Sequence, residues 1–72
     1  MRFAVVFEKT KTGWSAYPPD LPGVGVAAAT MEETRQLVRE AIELHIEDLR
    51  ATGQPIPPAS SQTDYVEVAL GA

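Results

Sequence analysis

The sequence predicts an α+β domain of order β-β-β-α-β, built as a four-stranded sheet in the order 3-2-1-4 with one helix on one face. Three observations point there. One long amphipathic stretch with marked ends runs from Thr30 to Gly53, three short β-rich segments precede it, and one cleanly alternating segment follows it. At 72 residues and without cysteine, the chain is a single domain near the lower size at which one core holds a fold unaided. Self-association is the expected supplement.

The first strand is expected over Arg2 to Lys9, where period-two alternation sends Phe3, Val5 and Phe7 to one face and Arg2, Ala4, Val6 and Glu8 to the other. Thr10 to Gly13 reads as a polar turn, and a second strand follows from Trp14 to Tyr17 or Pro18, antiparallel to the first. The link Pro18-Pro19-Asp20-Leu21-Pro22-Gly23 lacks the N–H groups a sheet interior needs, so it is a stiff, extended connection ending in a turn. Val24 to Ala29 is small and apolar and reads as a third strand.

The helix is expected over about residues 31–52. Thr30 is its N-cap and Glu33 the partner in a capping box, while Gly53 and Pro55 mark its end. Met31, Leu37, Val38, Ala41, Ile42, Leu44, His45 and Leu49 fall on one broad face, with Ile46 at its margin. A proline-rich spacer, Gln54 to Ser61, leads to a fourth strand at 63–70, where Val66, Val68 and Leu70 alternate with Tyr65, Glu67 and Ala69. A right-handed crossover would set that strand parallel to the first and beside it.

One helix covers one face of such a sheet. The other face, with Ala4 and Val6 and with Trp14 and Ala16 as further candidates, would stay bare, and a bare apolar face marks an interface. Homodimerisation or higher self-assembly is therefore expected through this face or the third strand, with Ala4, Val6, Val24 and Val26 as interface residues.

Ten acidic against six basic side chains give a formal charge of −4, which repels phosphate backbones and favours a basic protein partner over nucleic acid. No apolar run approaches the ~20 residues needed to span a membrane, and no segment reads as a signal peptide, so a cytoplasmic location without membrane association is expected.

Three stretches in order carry a family resemblance: Gly13 to Gly23 (GWSAYPPDLPG), Thr30-Met31-Glu32-Glu33, and Glu40 to His45 (EAIELH). The chain resembles the HicB-like antitoxins across nearly its whole length. That resemblance implies a partly degraded ribonuclease-H-like fold and a place in a type II toxin–antitoxin pair. The partner it implies is a small basic RNA-cleaving toxin of the HicA type, which the antitoxin binds and blocks. Longer members add a DNA-binding domain; no basic helix pair or arm follows Leu70 here, so direct autoregulation of a promoter is not expected. The chain departs from the family pattern at Val24, Ala28, Ala29 and Thr34. A stand-alone homo-oligomeric structural domain without a toxin is the alternative reading.

For chemistry the sequence offers little. A two-metal nuclease needs convergent carboxylates, whereas the centre of the first strand is Ala4-Val5-Val6 and the remaining acids, Glu8 and Asp64, would lie at opposite ends of the sheet. His45 lies within the apolar arc of the helix without a metal-ligand or nucleophile partner, and reads as a structural, mostly buried imidazole. No catalytic, metal or cofactor-binding residue is assigned. Two surfaces remain for a partner. Glu40, Glu43 and Glu47 form either a solvated face or an acidic stripe that steers a basic toxin. Trp14, Tyr17, Asp20 and Leu21 form either a packed corner or a rigid aromatic docking site.

Overall fold

In the computed structural model, which describes residues 1–71, four elements follow in the order β1 (Val6–Lys9), β2 (Trp14–Tyr17), β3 (Val26–Ala28) and α1 (Met31–Ala51). The strands form an antiparallel sheet in the order β1-β2-β3, with Phe7 opposite Ala16 and Ala16 opposite Val26. The Thr10 N–H donates to the Gly13 carbonyl at 2.9 Å and closes the β1–β2 hairpin where the Gly-ended polar turn was expected.

Both strand ends differ from the sequence expectation for one reason. β2 ends at Tyr17 because Pro18 and Pro19 have no N–H to offer a neighbour. On one side, Arg2 to Val5 therefore lose their partner and β1 begins at Val6. On the other, Val24 and Gly25 lose theirs and β3 is confined to Val26–Ala28.

The link itself is two successive turns. Leu21 N–H donates to the Pro18 carbonyl at 3.1 Å and Val24 N–H to the Leu21 carbonyl at 3.3 Å. In the second turn Pro22 precedes Gly23, whose φ of +90° is the left-handed conformation that a type II turn demands at its third residue.

Helix α1 is bounded by its own sequence. Thr30 Oγ1 accepts from the Glu33 N–H at 3.1 Å and donates to the Glu33 carboxylate at 3.0 Å. At the far end Gly53, with φ of +71°, donates to the Arg50 carbonyl at 3.2 Å and Gln54 donates to the Leu49 carbonyl at 2.9 Å, a Schellman closure.

The helix packs on β2 and β3. Its contact surface encloses a small core of Ala16, Leu21, Val38, Pro18 and Thr34, each almost inaccessible to solvent. Directly opposed residues of neighbouring strands share a face, so Phe7, Ala16 and Val26 point together, and Lys9, Trp14 and Ala28 with them. Buried Ala16 identifies that as the helix face. Trp14 and Ala16 thus do not belong to the bare face; Val6, Glu8, Ser15, Tyr17 and Ala27 do.

The fourth strand at 63–70 is not formed. Residues 62–71 carry no regular structure and stand exposed, and β1 is left as an edge of a three-stranded sheet. Prolines 55, 57 and 58 stiffen the approach, and Ser61 is tied to Asp20, as described below. Among the described residues no helix is long and apolar enough to cross a membrane.

Candidate protein-docking surfaces

Asp20 sits at the centre of the corner after β2. Its Oδ2 accepts from the Ser61 N–H at 2.8 Å, and its Oδ1 accepts from the Ser61 hydroxyl at 2.7 Å and the Ser60 hydroxyl at 3.4 Å. The Ser61 N–H, then the Ser61 hydroxyl, hold the carboxyl below the usual carboxylate range against an opposing cost of desolvation, and Ser60 adds a lesser lowering. Asp20 therefore clasps the spacer that follows the helix. Ser60 and Ser61 are hydrogen-bond partners of Asp20 that the sequence did not reveal, because no local pattern reports a bond across 41 positions.

The other corner residues separate into two roles. Leu21 is fully buried and anchors the link in the core, so it cannot present itself to a partner. Tyr17 is 41% exposed on the sheet face away from the helix. Trp14 is half-buried at the end of the helix face, with the Lys9 ammonium 5.7 Å from its ring centroid, a cation–π distance. Its carbonyl lies 3.5 Å from the buried Thr34 hydroxyl, which donates to Thr30 O at 2.8 Å.

On the outside of α1, Glu40, Glu43 and Glu47 are all exposed and fall within roughly 60° of the helix circumference. Glu40 accepts from the Gln36 amide at 3.3 Å, and Glu43 meets Arg39 at 3.9 Å with both side chains mostly in water, a contact too open to neutralise the stripe. The acids are thus available to a cation on another molecule.

Of the expected interface residues, Ala4, Val6, Val24 and Val26 are all half-buried. Val6 lies on the bare face, whereas Val26 faces the helix and Val24 lines a groove against Ala41, Leu44 and His45. His45 is partly buried in that groove, while Leu44 beside it, placed on the same apolar arc, is 68% exposed. A second apolar groove, unforeseen from the sequence, runs along the outer side of β1 between Phe3, Val5 and Phe7 and the helix residues Val38, Ile42 and Ile46. Among the described residues no group of acids and His45 is placed to hold a metal ion. The whole inventory is one of surfaces.

The sequence pattern of the HicB-like antitoxins of bacterial toxin–antitoxin systems matches residues 3–69. The chain belongs to the HicB-like antitoxin family. Among solved structures, this HicB-like chain resembles one in a complex described as the HicA3 and HicB3 toxin–antitoxin complex, with a TM-score of 0.68 and 32% identity over 86% of this chain and 70% of that one. Among curated relatives it is 43% identical over 56 residues to a UPF0150 protein of Synechocystis, covering 76% of this chain and 71% of the relative. It is 42% identical over 48 residues to a UPF0150 protein of Archaeoglobus fulgidus, covering 65% and 70% respectively. An uncharacterized 14.9 kDa protein of Haemophilus phage HP1 matches at 29% over 66 residues, spanning 92% of this HicB-like chain and half of the phage protein.

Proposed function

We propose that this HicB-like antitoxin acts by occlusion, binding a small basic RNA-cleaving toxin of the HicA type and covering its active surface. The observation that carries this reading is the likeness, in fold and sequence together, to a chain of the HicA3 and HicB3 complex. The surface chemistry supports it. A chain of charge −4 with three clustered helix carboxylates attracts a basic protein, and complementary fields of this kind raise association rates before any contact forms. Tyr17 supplies an exposed aromatic side chain beside a link that two turns and a buried leucine keep rigid, so little freedom is lost when a partner closes on it.

The mechanism needs no cofactor and no catalytic group of its own, and it operates in the cytoplasm, where an RNA-cleaving partner would act. The ribonuclease-H-like description, which requires a fourth strand, belongs to the family resemblance. The test is co-expression with a small basic protein encoded beside this chain, followed by RNA cleavage by that protein with and without the antitoxin. Suppressed cleavage in a stable complex is expected. Unimpeded cleavage in the presence of excess antitoxin would end the reading.

A second reading, a homo-oligomeric domain without a toxin, is favoured by the exposure of Tyr65, Val66, Val68 and Leu70. Self-association is compatible with either.

A further inference from the structure

We infer that residues Thr63 to Leu70 of one copy form the fourth strand of a second copy, laid along the free edge of β1 and over the apolar groove beside it, in a reciprocal exchange. This goes beyond toxin binding and stands whether or not a toxin is bound.

The donor has the pattern of a strand and no place in its own chain. Val66, Val68 and Leu70 are 84%, 69% and 92% exposed, an apolar stripe repeating every second residue that a monomer leaves in water. The molecule is correspondingly drawn out. Its radius of gyration is 14.7 Å, against roughly 11 Å expected of a compact chain of this length.

The acceptor has the matching defect. Among the described residues β1 pairs with β2 alone, so its outer N–H and C=O groups form an open edge, and residues 2–5 before it have no strand partner on either side. The groove along that edge is lined by Phe3, Val5 and Phe7, which repeat every second residue as the donor stripe does, and is floored by Val38, Ile42 and Ile46. Three donor side chains therefore meet three acceptor side chains in a single register. The donor carries Asp64 and Glu67 and no base, while the groove is lined by Arg35, Arg39 and Glu43; Glu43 meets Arg39 at 3.9 Å, which leaves Arg35, 5.6 Å from the Phe7 ring centroid, as the cation that favours the donor.

A second copy is the occupant because of where the donor starts. The Asp20 clasp holds Ser61, and Ser61 to Asp64 border the same surface as Arg2 to Val5. Donor root and acceptor edge are thus adjacent in each copy, the arrangement from which two copies related by a twofold axis exchange strands reciprocally. Beyond Asp64 the segment leaves its own edge uncovered.

The test uses the absence of cysteine from the sequence. A double variant Ile42→Cys, Val68→Cys of the full chain is oxidised and its linked peptides are mapped. The expected product is a covalent dimer joined between position 42 of one chain and position 68 of the other, and sedimentation equilibrium of the unmodified chain should give an even number of copies. A link from 42 to 68 within one chain, a link between two positions 68 only, or a chain that remains monomeric would each overturn the exchange. In parallel, V66D/V68D should yield a monomer with its helical circular dichroism intact. An assembly of unchanged mass in that variant would equally exclude it, and Phe3→Cys replaces Ile42→Cys if the latter disturbs the helix.

Discussion

Asp20 and Ser61, 41 positions apart, are joined by two hydrogen bonds of 2.8 and 2.7 Å, so that the turn after β2 holds the chain after the helix. This pair fixes where the C-terminal segment departs from the domain. Because the folded pKa of Asp20 is lowered, its contribution is present above the unfolded value near 4 and disappears as pH falls through the lowered one. Amide exchange at Ser61, measured relative to the unprotected rate at the same pH, should accelerate on acidification below about pH 4. In Asp20→Asn it should be fast at neutral pH already and lose that acid dependence. Exchange at Ser61 that ignores both pH and the substitution would show the clasp to be unimportant in solution.

Thr34 is fully buried, and its hydroxyl donates to Thr30 O at 2.8 Å near the Trp14 carbonyl. Thr34→Val keeps the volume and removes the donor. It should lower the unfolding free energy by about 1 kcal/mol in urea titration, the worth of one hydrogen bond.

Gly13 lies against β3. A Cβ at that position would run into the Ala28 carbonyl oxygen and stand 2.8 Å from Ala29 Cα, both backbone atoms that cannot turn aside. Gly13→Ala should therefore destabilise the domain by more than ~2 kcal/mol, in the range of overpacking. Gly25→Ala is the control. Its Cβ would meet only the Ala16 carbonyl, at 3.9 Å, so thermal melts should separate the two variants clearly.

Leu21 and Tyr17 should give opposite signatures. Leu21→Ala empties a fully buried site and should cost about 2–4 kcal/mol of stability. Tyr17→Ala removes an exposed ring and should leave the melt within about 0.5 kcal/mol of the parent while weakening toxin binding. Equal binding by Tyr17→Ala and the parent in calorimetry would remove the corner from the docking surface.

Charge reversal of Glu40, Glu43 and Glu47 together should slow association with a basic toxin about tenfold or more at low salt and flatten the salt dependence of the rate, because the field that steers the encounter is lost. Stopped-flow mixing at two ionic strengths measures both effects. A rate that is unaltered at low salt would reduce the stripe to an ordinary solvated face.

The long helix was legible in the sequence because its limits are local. Thr30, Glu33 and Gly53 act within a few residues of the ends they define, and the hairpin from Val6 to Tyr17 is equally a matter of neighbours. Pro18 and Pro19 even contain the reason why β1 and β3 are short, though only the observed register shows which residues the missing N–H groups deprive. Tertiary structure alone decided the rest. It placed Trp14, Ala16 and Val26 under the helix, buried Leu21 while exposing Tyr17, and tied Asp20 to Ser61. It also left Val66, Val68 and Leu70 outside the sheet although their alternation is that of a strand. Periodicity specifies that a segment can pair, but not which edge it pairs with, and that is set by how distant parts of the chain, and of a second copy, are held together.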